Sequence, residues 1–160
     1  MMKFKRIIII ASWLTVLATM VIIFYFSAQS AEKSSQTSGG VIEEILGVVL
    51  PKEEITEEII EKYQPPFRKI AHFCIFMLLG FCLINAFQNS FKFKCLLKFI
   101  LSFFCAALYA IFDEIHQGFI EDRGPAIKDV LIDSSGGIIG ILAYIMMIYI
   151  INKLKLKREW

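Results

Sequence analysis

The sequence predicts an all-α integral membrane protein, a four-helix bundle with both termini cytoplasmic, and three observations carry that expectation. Hydrophobic residues make up 57% of the 160 and aromatic residues 14%, which is too apolar for an ordinary soluble domain of this size. Four runs, 7–26, 67–87, 95–112 and 130–151, approach the roughly 20 mostly apolar residues needed to cross the hydrocarbon core. The charges then alternate along the chain. Lys3, Lys5 and Arg6 precede the first run, Lys92, Lys94 and Lys98 surround the connection between the second and third, and Lys153, Lys155, Lys157 and Arg158 follow the fourth. The positive-inside rule puts all three clusters on the cytoplasmic side. Residues 27–66 hold three bases (Lys33, Lys52, Lys62) against eight glutamates, so this loop belongs outside.

The first run is too long for the apolar region of a cleavable signal and ends in bulky Phe24-Tyr25-Phe26, so it reads as a retained span. The long acidic loop holds two stretches of helical period. Val41, Ile42, Ile45, Leu46, Val49 and Leu50 share one side of the first, and Ile55, Ile59, Ile60 and Tyr63 one side of the second. Pro51 separates them, and Ser34 to Gly40 reads as a flexible polar lead-in. Two short amphipathic helices are therefore expected there, either as a lid over the outer mouth of the bundle or as a solvated spacer. Pro65-Pro66 suits the start of the second span, where the first amides have no helical partner. Lys98 lies near the end of the third, where its stem can snorkel to the interface. In the fourth, Gly136 and Gly140 share a face that lets another helix approach closely.

The polar residues converge once this topology is adopted. Arg68, Lys69 and His72 fall in the first turns of the second span, Asp113, Glu114, His116 and Gln117 at the outer end of the third, Asp129 and Asp133 in the opening turns of the fourth, and Arg123 in the short connection. Spacings of three and four put Lys69 with His72, Asp113 with His116 and Gln117, and Asp129 with Asp133. An ionisable group at membrane depth costs about 2.5–3.5 kcal/mol on insertion scales and by default marks function. The competing expectation is an ion-pair network that welds helix ends together. Cys74, Cys82, Cys95 and Cys105 form no metal-type pair and read as small packing residues. No phosphate loop, zinc spacing or nucleic-acid signature appears.

In this order these residues resemble the VanZ-like family of small bacterial membrane proteins, named after a teicoplanin-resistance protein, over nearly the whole chain. The likeness rests on Phe26-Ser27-Ala28-Gln29-Ser30, on Lys69-x-x-His72-Phe73 with Phe76 and Gly80, on Asp113-Glu114-x-His116-Gln117-x-Phe119, on Arg123 with Asp129, and on Ser135-Gly136-x-x-x-Gly140. Typical members carry Tyr where Phe76 stands, Asn where Asp133 stands, and Pro-Gly where Glu121-Asp122 stands. The resemblance implies one membrane domain over 1–160 in the bacterial plasma membrane. It also implies a role at the cell envelope, which for some members includes lowered susceptibility to glycopeptides such as teicoplanin.

Two functions fit the residues. One is a binding protein whose outward pocket takes a lipid head group, a cell-wall precursor or a lipophilic glycopeptide, with Arg68, Lys69 and Arg123 on its anionic groups. The other is an intramembrane-surface hydrolase or transferase in which Glu114 or Asp113 works with His116 or His72 as base and acid. No Ser or Cys stands in a recognisable nucleophile context, so binding is the expectation and no reaction is assigned. No cofactor is assigned either. A metal on His72, His116, Glu114 and Asp129 would activate water, but the spacing selects none, and Lys69 and Arg123 would oppose a cation. The oligomeric state is not legible.

Overall fold

The structure is a computed structural model and describes residues 2–48, 50, 51, 54–120 and 124–158. They form five helices in the order α1 (Met2–Ser27), α2 (Ala31–Leu46), α3 (Glu57–Ser90), α4 (Cys95–Gln117) and α5 (Ile127–Arg158). Helices α1, α3, α4 and α5 are each long and apolar enough to cross a membrane, as the four apolar runs led one to expect.

The acidic segment departs from the expectation. The second amphipathic stretch is not a separate short helix. It is the opening of α3, which runs unbroken through Pro65 and Pro66 into the span. Thr56 caps its start by accepting from the Ile59 amide at 3.4 Å. The prolines are tolerated because their fixed φ suits a helix, and the two carbonyls they leave without a donor, on Glu61 and Lys62, belong to exposed residues that water can reach.

The expected flexible lead-in is helical too. Ser30 caps α2 through Lys33 N at 3.3 Å, and the Thr37 and Ser38 hydroxyls bond back to Lys33 O (2.9 Å) and Ser35 O (3.2 Å). Side chains that compete with a helix at its start can thus also be absorbed by it. Of the first amphipathic stretch, Val49 lies outside the described residues.

Helix α2 packs on the first turns of α3. A Cβ on Gly39 would lie 3.1 Å from Gln64 Nε2 and 3.4 Å from Ile60 Cγ2, so glycine permits the close approach. Gln64 donates to Ser35 O at 3.2 Å, and Ile42 is buried.

The centre of the bundle is the α3–α5 contact. A Cβ at Gly80 would strike the Gly137 carbonyl, one at Gly136 the Phe73 carbonyl, and one at Gly140 the Met77 carbonyl. Backbone lies almost on backbone here, the small-residue packing expected of Gly136 and Gly140. Around it pack Val16 and Ile23 of α1, Phe76, Leu79 and Leu83 of α3, and Ala106 and Ala110 of α4. On α1 the buried positions Ser12, Val16, Thr19, Ile23 and Ser27 recur every three or four residues. Its other face, with Ile7, Ile10, Leu14, Leu17 and Val21, is exposed, as suits contact with lipid.

At the end of the bundle away from α2, polar groups tie α1 to α3. Asn89 Nδ2 donates to Ser12 Oγ at 2.8 Å and Trp13 Nε1 to Ser90 Oγ at 2.9 Å. Lys98 does not snorkel outward. It is 7% exposed and donates to Gln88 Oε1 at 2.7 Å, a hydrogen bond that replaces the water its ammonium would lose.

Candidate functional site

The α2 end of the bundle holds the polar residues. Gly136 lets α5 close onto Phe73, and that approach sets Asp133, less than one turn before Gly136, beside His72. The distance from His72 Nδ1 to Asp133 Oδ2 is 3.5 Å, and to Asp113 Oδ2 on α4 it is 3.9 Å. Both carboxylates are withdrawn from solvent, with side-chain exposures of 2% for Asp113 and 3% for Asp133.

Asp113 is held by two further groups. Ser27 Oγ, from the last residue of α1, donates to its Oδ2 at 2.9 Å, and so does Gln117 Nε2 at 2.9 Å. Gln117 also reaches Ser27 Oγ at 3.4 Å. A buried carboxylate requires hydrogen-bond donors, and these two supply them. Asp133 is less well served: its Oδ1 is buried without a hydrogen-bond partner among the described residues.

Around this centre lies a second tier. Lys69 and Asp129 form an ion pair at 2.6 Å between side chains 47% and 36% exposed, an arrangement that contributes little to stability. The Glu114 carboxylate accepts from the Ala126 amide just before α5 and so ties the end of α4 to the start of α5.

A cavity of about 450 Å³ opens beside these groups, within the size range of small-molecule sites. Its polar part is made by Arg68, Lys69, His72, Glu114, Gln117, Asp129 and Asp133, and its apolar wall by residues including Ile23, Phe26, Ile75 and Ile132. Ser34, Thr37, Ser38 and Val41 of α2 line it as well, so α2 covers part of it.

Of the residues singled out from the sequence, Arg68, Lys69, His72, Glu114, Gln117, Asp129 and Asp133 come together on this cavity, and Asp113 lies against His72. His116 does not join the lining. Its ring packs on Phe24 of α1 with centroids 4.5 Å apart, and its Nδ1 is buried without a partner among the described residues. The three-residue step from Asp113 turns it toward α1, whereas the four-residue step brings Gln117 back onto Asp113. Arg123 lies outside the described residues.

Ser27, Gln29 and the α2 hydroxyl residues were not singled out as site residues. The run Phe26-Ser27-Ala28-Gln29-Ser30 was the available signal, but a serine at a helix end carries no periodicity that would give it a partner 86 residues away.

Four long apolar helices around a half-buried histidine and two buried carboxylates define a multi-pass membrane protein with a polar site at one end of its bundle. The family model described as VanZ/LLP1 matches residues 12–150, and the chain belongs to the VanZ-like family. No curated protein and no solved structure matches it.

Proposed function

We propose that this is a plasma-membrane envelope protein that binds the polar head of an amphiphile in the cavity at the α2 end, with both termini cytoplasmic and the cavity facing outward. The observation that supports this is the composition of one continuous surface. Apolar Ile23, Phe26, Val41, Ile75 and Ile132 adjoin Arg68, Lys69 and His72 within a single cavity, the pairing a head group with attached chains requires. At about 450 Å³ it takes a head group and leaves acyl chains in the bilayer. Arg68 and Lys69 favour an anionic group, phosphate or carboxylate.

The ligand classes that fit are a membrane lipid, a lipid-linked wall precursor, or the lipid arm of a lipophilic glycopeptide, which connects the site to teicoplanin susceptibility. A hydrolase or transferase acting on an envelope lipid is the second reading. It is favoured by one observation, His72 between the carboxylates of Asp113 and Asp133, because a base oriented by an acid is the starting arrangement for proton transfer.

Mass spectrometry of lipid retained by the protein in mild detergent tests the first reading. Wild type is expected to keep an anionic amphiphile that Arg68→Ala loses. Equal retention by both would overturn it, and conversion of the retained lipid on incubation would favour the second.

A further inference from the structure

We propose that His72, Asp113 and Asp133 form a binding site for a divalent transition cation of the zinc class, ligated by nitrogen and oxygen, beside the cavity. This inference does not depend on which amphiphile the cavity takes.

Three observations carry it. The first is distance. One ligand atom from each residue lies within 4.8 Å of the others, and His72 Nδ1 is 3.5 Å and 3.9 Å from the two carboxylate oxygens. His72 already pairs with these carboxylates, and a cation would use the same nitrogen and oxygens. Ligands about 2.0–2.2 Å from a shared ion stand about 3.0–3.6 Å apart when adjacent and about 4.2 Å when opposite. The two His72 separations, 3.5 Å and 3.9 Å, fall in that interval.

The second observation is an unused oxygen. Asp133 Oδ1 is buried without a hydrogen-bond partner among the described residues, on a side chain 3% exposed. A buried acceptor left without a donor costs free energy, and a cation bound at this carboxylate would offset it.

The third is charge and support. Asp113 and Asp133 are two buried carboxylates. Lys69, one of the cations that would repel a metal, is drawn off to Asp129 at 2.6 Å. A divalent ion would leave the centre neutral. Ser27 and Gln117 both donate to Oδ2 of Asp113, the oxygen nearest His72, and so hold that carboxylate in place, the supporting role that hydrogen-bonded neighbours play for metal ligands. Three protein ligands with a cavity alongside leave room for water or an anionic oxygen to complete the coordination, the pattern of an open site. One imidazole with two carboxylates suits zinc or manganese better than calcium.

The four cysteines are free, and Cys74 and Cys95 are exposed, so zinc could be taken up there instead. The experiment separates the two. Full-length protein in detergent is equilibrated with Zn²⁺, freed of excess by gel filtration, analysed for metal content, and then examined by X-ray absorption at the zinc edge. The expected result is one zinc per chain with only nitrogen and oxygen neighbours.

Asp133→Asn and His72→Gln should each lower the affinity at least tenfold. Gln117→Ala should lower it about 10–100-fold through loss of support, and His116→Gln should leave it unchanged. Sulfur in the coordination shell, less than stoichiometric zinc, or unchanged affinity in both Asp133→Asn and His72→Gln would overturn the proposal. The absorption spectrum of wild type decides the matter even if the variants do not fold. Zinc stoichiometry is read on the wild type whether or not lipid is retained, and lipid retention is read from wild type against Arg68→Ala, so the two readings fail separately.

Discussion

The hydroxyl of Ser27, the last residue of α1, donates to the carboxylate of Asp113 near the end of α4 at 2.9 Å, and both residues are buried. This bond joins the first membrane-spanning helix to the polar centre. Ser27→Ala would leave a buried carboxylate one donor short, a loss of about 1–3 kcal/mol. The thermal midpoint in detergent is expected to fall, and Ser27→Thr, which keeps the hydroxyl, should recover part of it. An unchanged midpoint in the alanine variant would mean that this hydrogen bond contributes nothing to the fold.

Backbone contact between α3 and α5 predicts a contrast among glycines. Gly140→Ala places a methyl group against the Met77 carbonyl, whereas a Cβ at Gly40, on an open side of α2, meets nothing within 4 Å. The first substitution should destabilise by about 1–3 kcal/mol or more, because packed helices cannot move apart without opening the core. The second should be neutral, or stabilising by up to about 1 kcal/mol from helix propensity. Membrane accumulation and thermal unfolding of the two variants provide the comparison, and equal behaviour would contradict the close packing.

The exposed pair Lys69–Asp129 and the buried Asp113 should respond differently to substitution. Lys69→Ala is expected to cost at most about 1 kcal/mol of stability yet to reduce retention of an anionic lipid. Asp113→Asn should be the more destabilising of the two, since it disturbs a carboxylate that Ser27 and Gln117 were placed to serve. Unfolding and lipid retention measured on the same preparations test both halves. A large stability loss in Lys69→Ala would show that the pair is structural.

Helix α2 is held to α3 by the buried side chain of Ile42 and by the bond from Gln64 to Ser35 O. Ile42→Ala, which removes buried aliphatic surface at a cost of about 2–5 kcal/mol when the loss is local, should speed amide hydrogen exchange in 31–46 while leaving α4 and α5 protected. The same variant should release retained lipid faster, because α2 lines the cavity. Faster exchange throughout the bundle would mean that α2 is part of the core and not a cover.

The proposed orientation follows from charge alone and is open to direct labelling. In a Cys74→Ser, Cys95→Ser background, a cysteine at exposed Thr56 should react with an impermeant thiol reagent on intact cells, and one at exposed Lys155 should react only after the membrane is opened. The reverse pattern would place the cavity on the cytoplasmic side.

Much of the fold was legible because membrane insertion writes itself into local composition. The hydrocarbon core demands a minimum apolar length, and each span met it within one stretch of chain. Gly136 and Gly140 could likewise be read as a packing face, since their spacing is a property of a single helix. Boundaries were harder: Pro65-Pro66 marks a helix start as readily as an interior whose orphaned carbonyls face water, and only the structure distinguishes these. For Ser34 to Gly40, local preference pointed to a loop, and contact with Ile60 and Gln64 overrode it.

The sequence by itself determined the class, the four apolar helices and the set of polar residues from which the site is drawn, because length, period and charge act within a few turns of chain. Tertiary structure decided which of those residues meet. It paired His72 with Asp133 and Asp113, turned His116 away onto Phe24, buried Lys98 against Gln88, and brought in Ser27. Those outcomes depend on the rotation and separation of helices far apart in the chain, which the backbone contact of α3 with α5 sets and which no local pattern encodes.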